Sequence, residues 1–190
     1  MIHSKDRSGY IGASDTSFVV GNWNTKTWKK WWLEKLGLSR NELNTKAMKC
    51  GNAFEGKILD TIGCNKDLQI IIEDLRLRVN LDGNTKDTIY EVKTFRDDKV
   101  FKISKPYWRQ SQVEMFAFKQ KYGILPNLFI TAYPLSEHEY RNYFVDIDKD
   151  KLQFLPVEYD EDFISDYIMK LKILKKCMDV GTMPKTGENK

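Results

Sequence analysis

Three side chains in one short stretch have the types and spacing for phosphodiester chemistry: Asp82, Glu91 and Lys93. Asp82 ends an alternating run. Leu75, Leu77, Val79 and Leu81 are apolar, while Arg76, Arg78 and Asn80 fill the positions between. Period-two alternation marks a half-buried strand, here with a basic and polar face that finishes on a carboxylate. Asp82, Gly83 and Asn84 read as a turn. The residues over 88–94 read as the returning strand, with Ile89, Glu91 and Lys93 on one face and Tyr90, Val92 and Thr94 on the other. A hairpin of the two brings Asp82 up to Glu91 and Lys93. Paired carboxylates offer the oxygen ligands that Mg²⁺ takes. The ion polarises a phosphoryl oxygen and lowers the pKa of a water. A lysine orients that water or neutralises charge developing on the phosphate. Glu-x-Lys on a strand is also an ordinary solvated ion-pair face, so the spacing alone leaves both readings open.

Other elements must position these groups. A helix is expected over 45–62, capped by Asn44 or Thr45, with Ala47, Gly51, Phe54, Ile58 and Ile62 as its apolar stripe. Glu55 lies one residue round from that stripe, at the edge of the core. A carboxylate there needs a partner: a metal, Lys57 or Lys49, or simply water. Nearer the N-terminus, Gly12 and Ser14 read as a turn into a short helix over 14–20, with Ser14 or Asp15 as N-cap and Gly21 as stop. Free N–H groups at such a start suit a phosphate, and Arg7 adds a charge-assisted bond. Plain capping accounts for Ser14 equally well.

The helix expected over 25–36 carries Trp28, Trp31, Trp32 and Leu36 at helical spacing, with Lys26, Lys29, Lys30 and Lys35 between them. That spacing favours buried tryptophans and solvated lysines over a DNA-facing surface. Leu68 to Ile72 reads as a buried strand, and 94–104 as a charged loop. A helix over 106–121 starts with Pro106 at its first position. Trp108, Val113, Met115, Phe116 and Phe118 form its apolar side, and Gln110, Ser111, Gln112 and Glu114 are polar. A glutamine there is placed to bind phosphate or a metal-bound water. Two further strands are expected over 127–134 and 139–148, with Tyr143, Phe144 and Ile147 in the core. Phe163, Tyr167, Leu171, Leu174 and Met178 make an amphipathic helix over 160–179. A mobile tail is expected over 182–190. The order gives an α/β fold with a central mixed sheet flanked by helices, in one domain over 1–181.

The 190 residues are enough for one well-cored domain. With 41% hydrophobic and 31% charged residues, the composition is that of an ordinary soluble globular chain. A net charge of +4 does not by itself require a polyanionic partner; a local basic face would. Cys50, Cys64 and Cys177 are scattered and odd in number, without disulfide or zinc spacing. His3 and His138 are the only histidines, so zinc and histidine-assisted nucleophilic catalysis have little support. No stretch is apolar enough to span a membrane and no signal peptide opens the chain. The expected location is the cytoplasm.

Taken in order, Tyr10-Ile-Gly-Ala-Ser-Asp15, Gly51-Asn-Ala-Phe-Glu-Gly56, Asn80-Leu-Asp-Gly83, Glu91-Val-Lys93 and Tyr107-Trp-Arg-Gln-Ser-Gln-Val113 resemble the YqaJ-like viral recombinase family. These are relatives of phage lambda exonuclease among the PD-(D/E)xK nucleases. The resemblance implies a restriction-endonuclease-like core. It implies that Glu55, Asp82 and Glu91 hold metal ions, with the carbonyl of Val92 as a further ligand and Lys93 as the catalytic lysine. Arg7 and Ser14 fall where the family places groups for a 5′-terminal phosphate. Gln112 falls on the family's helix glutamine, with Gln110 as the rival register. Asn80 stands two residues before Asp82, where lambda-type enzymes carry a small hydroxyl residue.

The reading that follows is a Mg²⁺-dependent nuclease, with Mn²⁺ able to substitute. It would act as a 5′→3′ exonuclease on duplex DNA ends bearing a 5′-phosphate, by two-metal hydrolysis, in phage-type recombination. A single-strand annealing protein and further copies of the chain are the expected partners. A structure- or site-specific endonuclease of the same fold, and a DNA-binding module without catalysis, are the alternatives.

Overall fold

The computed structural model describes residues 8–39 and 45–185. One five-stranded sheet holds β1 (Asn65–Ile72), β2 (Leu77–Asn84), β3 (Thr88–Arg96), β4 (Asn127–Leu135) and β5 (Gln153–Pro156), in that spatial order. β1, β2 and β3 pair antiparallel, β3 and β4 parallel, and β4 and β5 antiparallel. The parallel step needs a crossover, and α4 (Lys105–Tyr122) supplies it. Before the sheet come a 3-10 turn (Ala13–Asp15), α1 (Thr16–Val19), α2 (Lys26–Lys35) and α3 (Lys46–Ile62); α5 (Glu137–Arg141) and α6 (Glu161–Asp179) follow β4 and β5. Among the described residues no helix is long and apolar enough to cross a membrane.

The helices start and stop for local reasons. Thr25, Thr45, Ser104 and Asp160 accept a backbone N–H at the starts of α2, α3, α4 and α6, which satisfies one orphan donor in each first turn. Gly63 and Gly123 end α3 and α4 in left-handed conformations that glycine adopts without strain. Asn44 lies outside the described residues, and Thr45 is the cap of α3. Pro106 sits at the second helical position rather than the first, because Lys105 opens α4.

Two cores lie about the sheet. The larger joins Ile70, Leu77, Val79, Leu81, Ile89 and Ile130 to α2, α4 and α6. Trp28, Trp31 and Trp32 are buried within it, as their spacing requires, and Trp23 joins them. Each indole N–H is satisfied: Trp23 by the Val19 carbonyl, Trp28 by Phe18, Trp31 by Asp15 and Trp32 by Thr182. Lys35 departs from the expectation of a solvated lysine. It is only 4% exposed and pairs with Asp15 at 2.5 Å. The smaller core packs Cys50, Phe54, Ile58 and Leu59 of α3 on Val92, Tyr133 and Leu135.

Several expectations need correction. The segment over 139–148 is not a strand. Ser136 and Glu139 form a reciprocal cap that starts α5, and the strand beside β4 comes later, as β5. Phe144, placed in the core, is 93% exposed, whereas Tyr143 and Ile147 do pack against the smaller core. The hairpin turn lies three residues further on than expected, over 85–87. Gly83 and Asn84 remain in β2, and Thr85 N–H closes the loop onto the Thr88 carbonyl at 2.8 Å. The N-terminal element is a 3-10 turn running into the four-residue α1, not a helix from residue 14. Thr182, the first residue of the expected tail, is held at its carbonyl by Trp32 and at its N–H by Cys177; residues 186–190 lie outside the described residues.

Candidate active site

The site begins where β2 and β3 part. Their ladder has two pairs, Gly83↔Tyr90 and Asn84↔Ile89, and extending that register by one residue sets Asp82 opposite Glu91. Facing carboxylates repel across a ladder, and the pairing stops at this point. On its other side Asp82 has no partner either, because the β1/β2 ladder passes from Lys66↔Gly83 to Leu68↔Leu81. Asp67, opposite, takes a left-handed backbone with φ 61°, a conformation that costs most residues but is tolerated by Asp. Asp82 thus falls out of both ladders, and its carboxylate accepts the Val92 N–H at 2.9 Å in place of a backbone partner.

Gly83 brings the third element in. A Cβ at this position would overlap the side chains of Leu59 and Cys64. The absence of a side chain lets α3 press onto the hairpin and carry Glu55 to it. From the other side, α4 presents Gln110 and Glu114, one turn apart on one helical face. Together they line a cleft of about 540 Å³. Its walls include Glu55 from α3, Arg78, Asn80 and Asp82 from β2, Glu91, Val92 and Lys93 from β3, Gln110 and Glu114 from α4, and Ser14 with Lys35 at the N-terminal end.

Lys93 lies at the centre of the charge pattern. Its ammonium bonds Glu91 Oε1 at 2.5 Å and stands 5.0 Å from the centre of the Tyr107 ring. Burial works against its charge, but Glu91 and Asp82 outweigh burial and hold its pKa above the ordinary lysine value. One ammonium does not neutralise this many carboxylates. Asp82 is pushed well above the usual carboxylate range, first by burial and then by Glu91 and Glu55. Glu55 is raised by burial, Glu91 and Asp67. Glu114, fully enclosed at 0% exposure, is raised well above the range by burial and by Glu91.

The cleft therefore gathers Glu55, Asp82, Glu91, Val92, Lys93, Ser14, Asn80 and Gln110 from the expected set. Arg7 lies outside the described residues. Gln112 is not in the cleft. Its Nε2 donates to the Glu158 carbonyl at 2.7 Å and its Oε1 accepts the Asp160 N–H at 2.8 Å, so it pins the start of α6. Gln110 is the helix glutamine that faces the site. At the helical start expected near Ser14, the chain makes a 3-10 turn that runs into α1, and the Gly12 N–H is held by Asp15 at 2.8 Å. Ser14 itself is exposed at the cleft wall. Glu114, Lys35 and Arg78 belong to the cleft without having been expected there. The signal for Glu114 was its place four residues after Gln110, inside the apolar run Val113 to Phe118.

The donor set suits a hard divalent cation: besides Asp15, which pairs with Lys35, the described residues of the lining include four carboxylates, Glu55, Asp82, Glu91 and Glu114, and no histidine or cysteine. Two enclosed oxygens, Glu91 Oε2 and Glu114 Oε2, accept no hydrogen bond. The side chains are turned onto internal donors, and among the described residues no three of the His, Cys, Asp and Glu side chains close into a metal-holding group.

No family model and no curated protein sequence matches the chain. Solved structures do share its fold. An alkaline exonuclease from Laribacter hongkongensis matches with a TM-score of 0.68 at 15% identity, over 92% of this chain and 90% of that one. The same enzyme in complex with dAMP also gives 0.68 at 15% identity, over 93% and 91%. A phage-related exonuclease from Haemophilus somnus matches with 0.57 at 14% identity, over 89% and 92%. The expected α/β architecture, a mixed sheet flanked by helices, is thus the fold of these alkaline and phage-related exonucleases.

Proposed function

We propose that the protein is a divalent-metal-dependent deoxyribonuclease that degrades duplex DNA from its ends, with a preference for a 5′-phosphate. The observation that carries this reading is the convergence of Glu55, Asp82, Glu91 and Lys93, from α3, β2 and β3, in one cleft. The fold shared with exonucleases, one of them in complex with dAMP, supports the same substrate class.

Glu55, Asp82 and Glu91 would hold Mg²⁺ or Mn²⁺, with the Val92 backbone beside them. When bound, the metal supplies Lewis-acid stabilisation of charge on the scissile phosphate. Lys93 is the cationic group of the cleft, its charge favoured by Glu91 and Asp82. It donates hydrogen bonds, orienting the attacking water and neutralising charge as it develops on the phosphate. Arg78 and Asn80 precede Asp82 on the cleft side of β2. Steps of two residues along a strand, about 6.6 Å each, suit contacts to successive backbone phosphates. Such contacts carry no sequence information, so affinity falls steeply with salt and sequence preference is weak.

The test is time-resolved digestion of end-labelled linear DNA and covalently closed circular DNA, with Mg²⁺, Mn²⁺ or EDTA. Linear DNA shortens from its ends with metal and survives in EDTA, and closed circles survive throughout. Cleavage of closed circles establishes an endonuclease. Intact DNA in every arm with metal overturns the nuclease reading.

A further inference from the structure

Glu114 stands on α4 one turn beyond Gln110, with no solvent exposure. Its Oε1 accepts from Gln110 Nε2 at 2.8 Å. The same amide nitrogen donates to Glu91 Oε1 at 2.5 Å. A single amide therefore joins a carboxylate on α4 to one on β3, although the two residues are far apart in sequence. Each carboxylate keeps one oxygen over. Glu91 Oε2 and Glu114 Oε2 are both enclosed and both lack a hydrogen bond, and both residues line the cleft. Lys93, the cation bonded in the cleft to Glu91, uses Oε1. Enclosed carboxylate oxygens without a donor are rare in folded proteins because they have lost water and gained nothing. A cation between them supplies what the protein leaves out.

We propose that Glu114 is a fourth carboxylate of the cation site, offering Oε2 to a divalent ion beside Glu91, with Gln110 as the positioning residue that couples the two. The inference rests on the nuclease reading and deepens it by adding a metal-ligating carboxylate on α4, where the sequence resemblance named only a glutamine. The class of ion follows from the donors: carboxylate oxygens select Mg²⁺ or Mn²⁺ over soft metals. A structural role alone would make Glu114 an anchor for Gln110, and metal affinity would then be indifferent to its charge.

Isothermal titration with MnCl₂, without DNA, separates these roles in wild type, Glu114→Gln, Gln110→Ala and Asp82→Asn. Folding of each variant is checked by circular dichroism. The amide in Glu114→Gln keeps the shape and removes the charge. It weakens Mn²⁺ binding by at least about 10- to 100-fold, the loss typical of even outer-sphere partners. The rise in Tm that Mn²⁺ causes shrinks with it, while the metal-free Tm stays level or rises. Wild-type affinity in folded Glu114→Gln, together with weakened binding in Asp82→Asn, overturns the role of Glu114 and leaves the nuclease reading standing. Wild-type protein that binds no Mn²⁺ overturns both. If Glu114→Gln does not fold, Gln110→Ala carries the test: binding that is weakened supports the coupling, and binding that is unchanged refutes it.

Discussion

Glu139 at the start of α5 and Glu91 on β3 are shut away from solvent to nearly the same degree, at 4% and 2% exposure. Around Glu139 the protein supplies donors to both oxygens. Ser136 gives its N–H at 2.7 Å and its hydroxyl at 2.6 Å, Tyr133 gives its hydroxyl at 2.9 Å, and Lys151 approaches to 3.6 Å. Burial alone would raise its pKa, but these bonds carry it below the ordinary carboxylate value. In the cleft the same burial meets more carboxylates and fewer donors. Lys93 and Gln110 share one oxygen of Glu91, and Asp82 has the Val92 N–H. Desolvation is common to both regions, and the supply of donors separates them. A carboxylate that fixes a turn is saturated with donors. The cleft carboxylates are left short of them, and Asp82, Glu55 and Glu114 rise in pKa as a result.

The sharpest way to break this contrast is to neutralise one carboxylate in each region. Asp82→Asn, with Glu91→Gln as a second variant, lowers metal-dependent DNA cleavage by more than about 100-fold, since outer-sphere metal partners alone are worth about 10- to 100-fold. Metal-free stability is retained or increased, because a repelling charge is gone. Glu139→Ala does the reverse. It strands Ser136, Tyr133 and Lys151 and destabilises the fold by about 1–3 kcal/mol, the usual cost of leaving buried donors unpaired. Its cleavage rate, measured well below the melting temperature, stays at the wild-type level. Urea titrations and single-turnover digestion read the two axes separately. A strong loss of stability in Asp82→Asn would make the cleft a structural network like that of Glu139.

The contrast also explains what was legible in the chain before it was folded. Alternation in β2, the glycine and threonine boundaries of α3, and the tryptophan spacing of α2 are local patterns whose meaning survives in the fold. The site carboxylates could be placed because strands and helices have fixed periods. Gln112 was misplaced because two residues turn a helix by about 200°, and only the packing of α4 against α6 decides which face meets the sheet. Lys35 is buried because Asp15 happens to lie opposite, a tertiary fact without a local signature. Over 139–148 the local signals conflict. Ser136-x-x-Glu139 is a helix-start signal, but the aromatic residues beyond it read as a strand.

A weaker effect sharpens the contrast through pH. Glu139 has a depressed pKa, so its contribution is present above the unfolded carboxylate value of about 4.3 and is lost as pH falls through the folded value. Asp82 and Glu114 run the other way. Between the unfolded value and their raised folded values, the native protein holds more protons than the unfolded chain, so stability declines as pH rises. In EDTA, the unfolding free energy of the wild type is therefore expected to fall as pH is raised above about 4–5, the carboxylate range. Asp82→Asn flattens that slope, and Glu139→Ala leaves it unchanged while lowering the curve at every pH above the carboxylate range. A slope that Asp82→Asn does not alter would mean that the cleft carboxylates are stabilised by donors as Glu139 is.

The smallest effect is expected at Ser14, which belongs to neither buried network. Its side chain is exposed at the cleft wall, so Ser14→Ala should leave both Tm and metal affinity at wild-type values. A hydroxyl bonded to a charged group is worth about 1.5–3 kcal/mol, so contact with a terminal phosphate predicts about 10- to 150-fold slower attack on 5′-phosphorylated duplex ends. Ends carrying a 5′-hydroxyl have no phosphate to lose, and their rate should not change. The ratio of the two rates in wild type and Ser14→Ala isolates this contact from the chemistry in the cleft. An equal loss on both kinds of end would show that Ser14 touches the DNA elsewhere, and the preference for a 5′-phosphate would then have to come from other groups along the cleft wall.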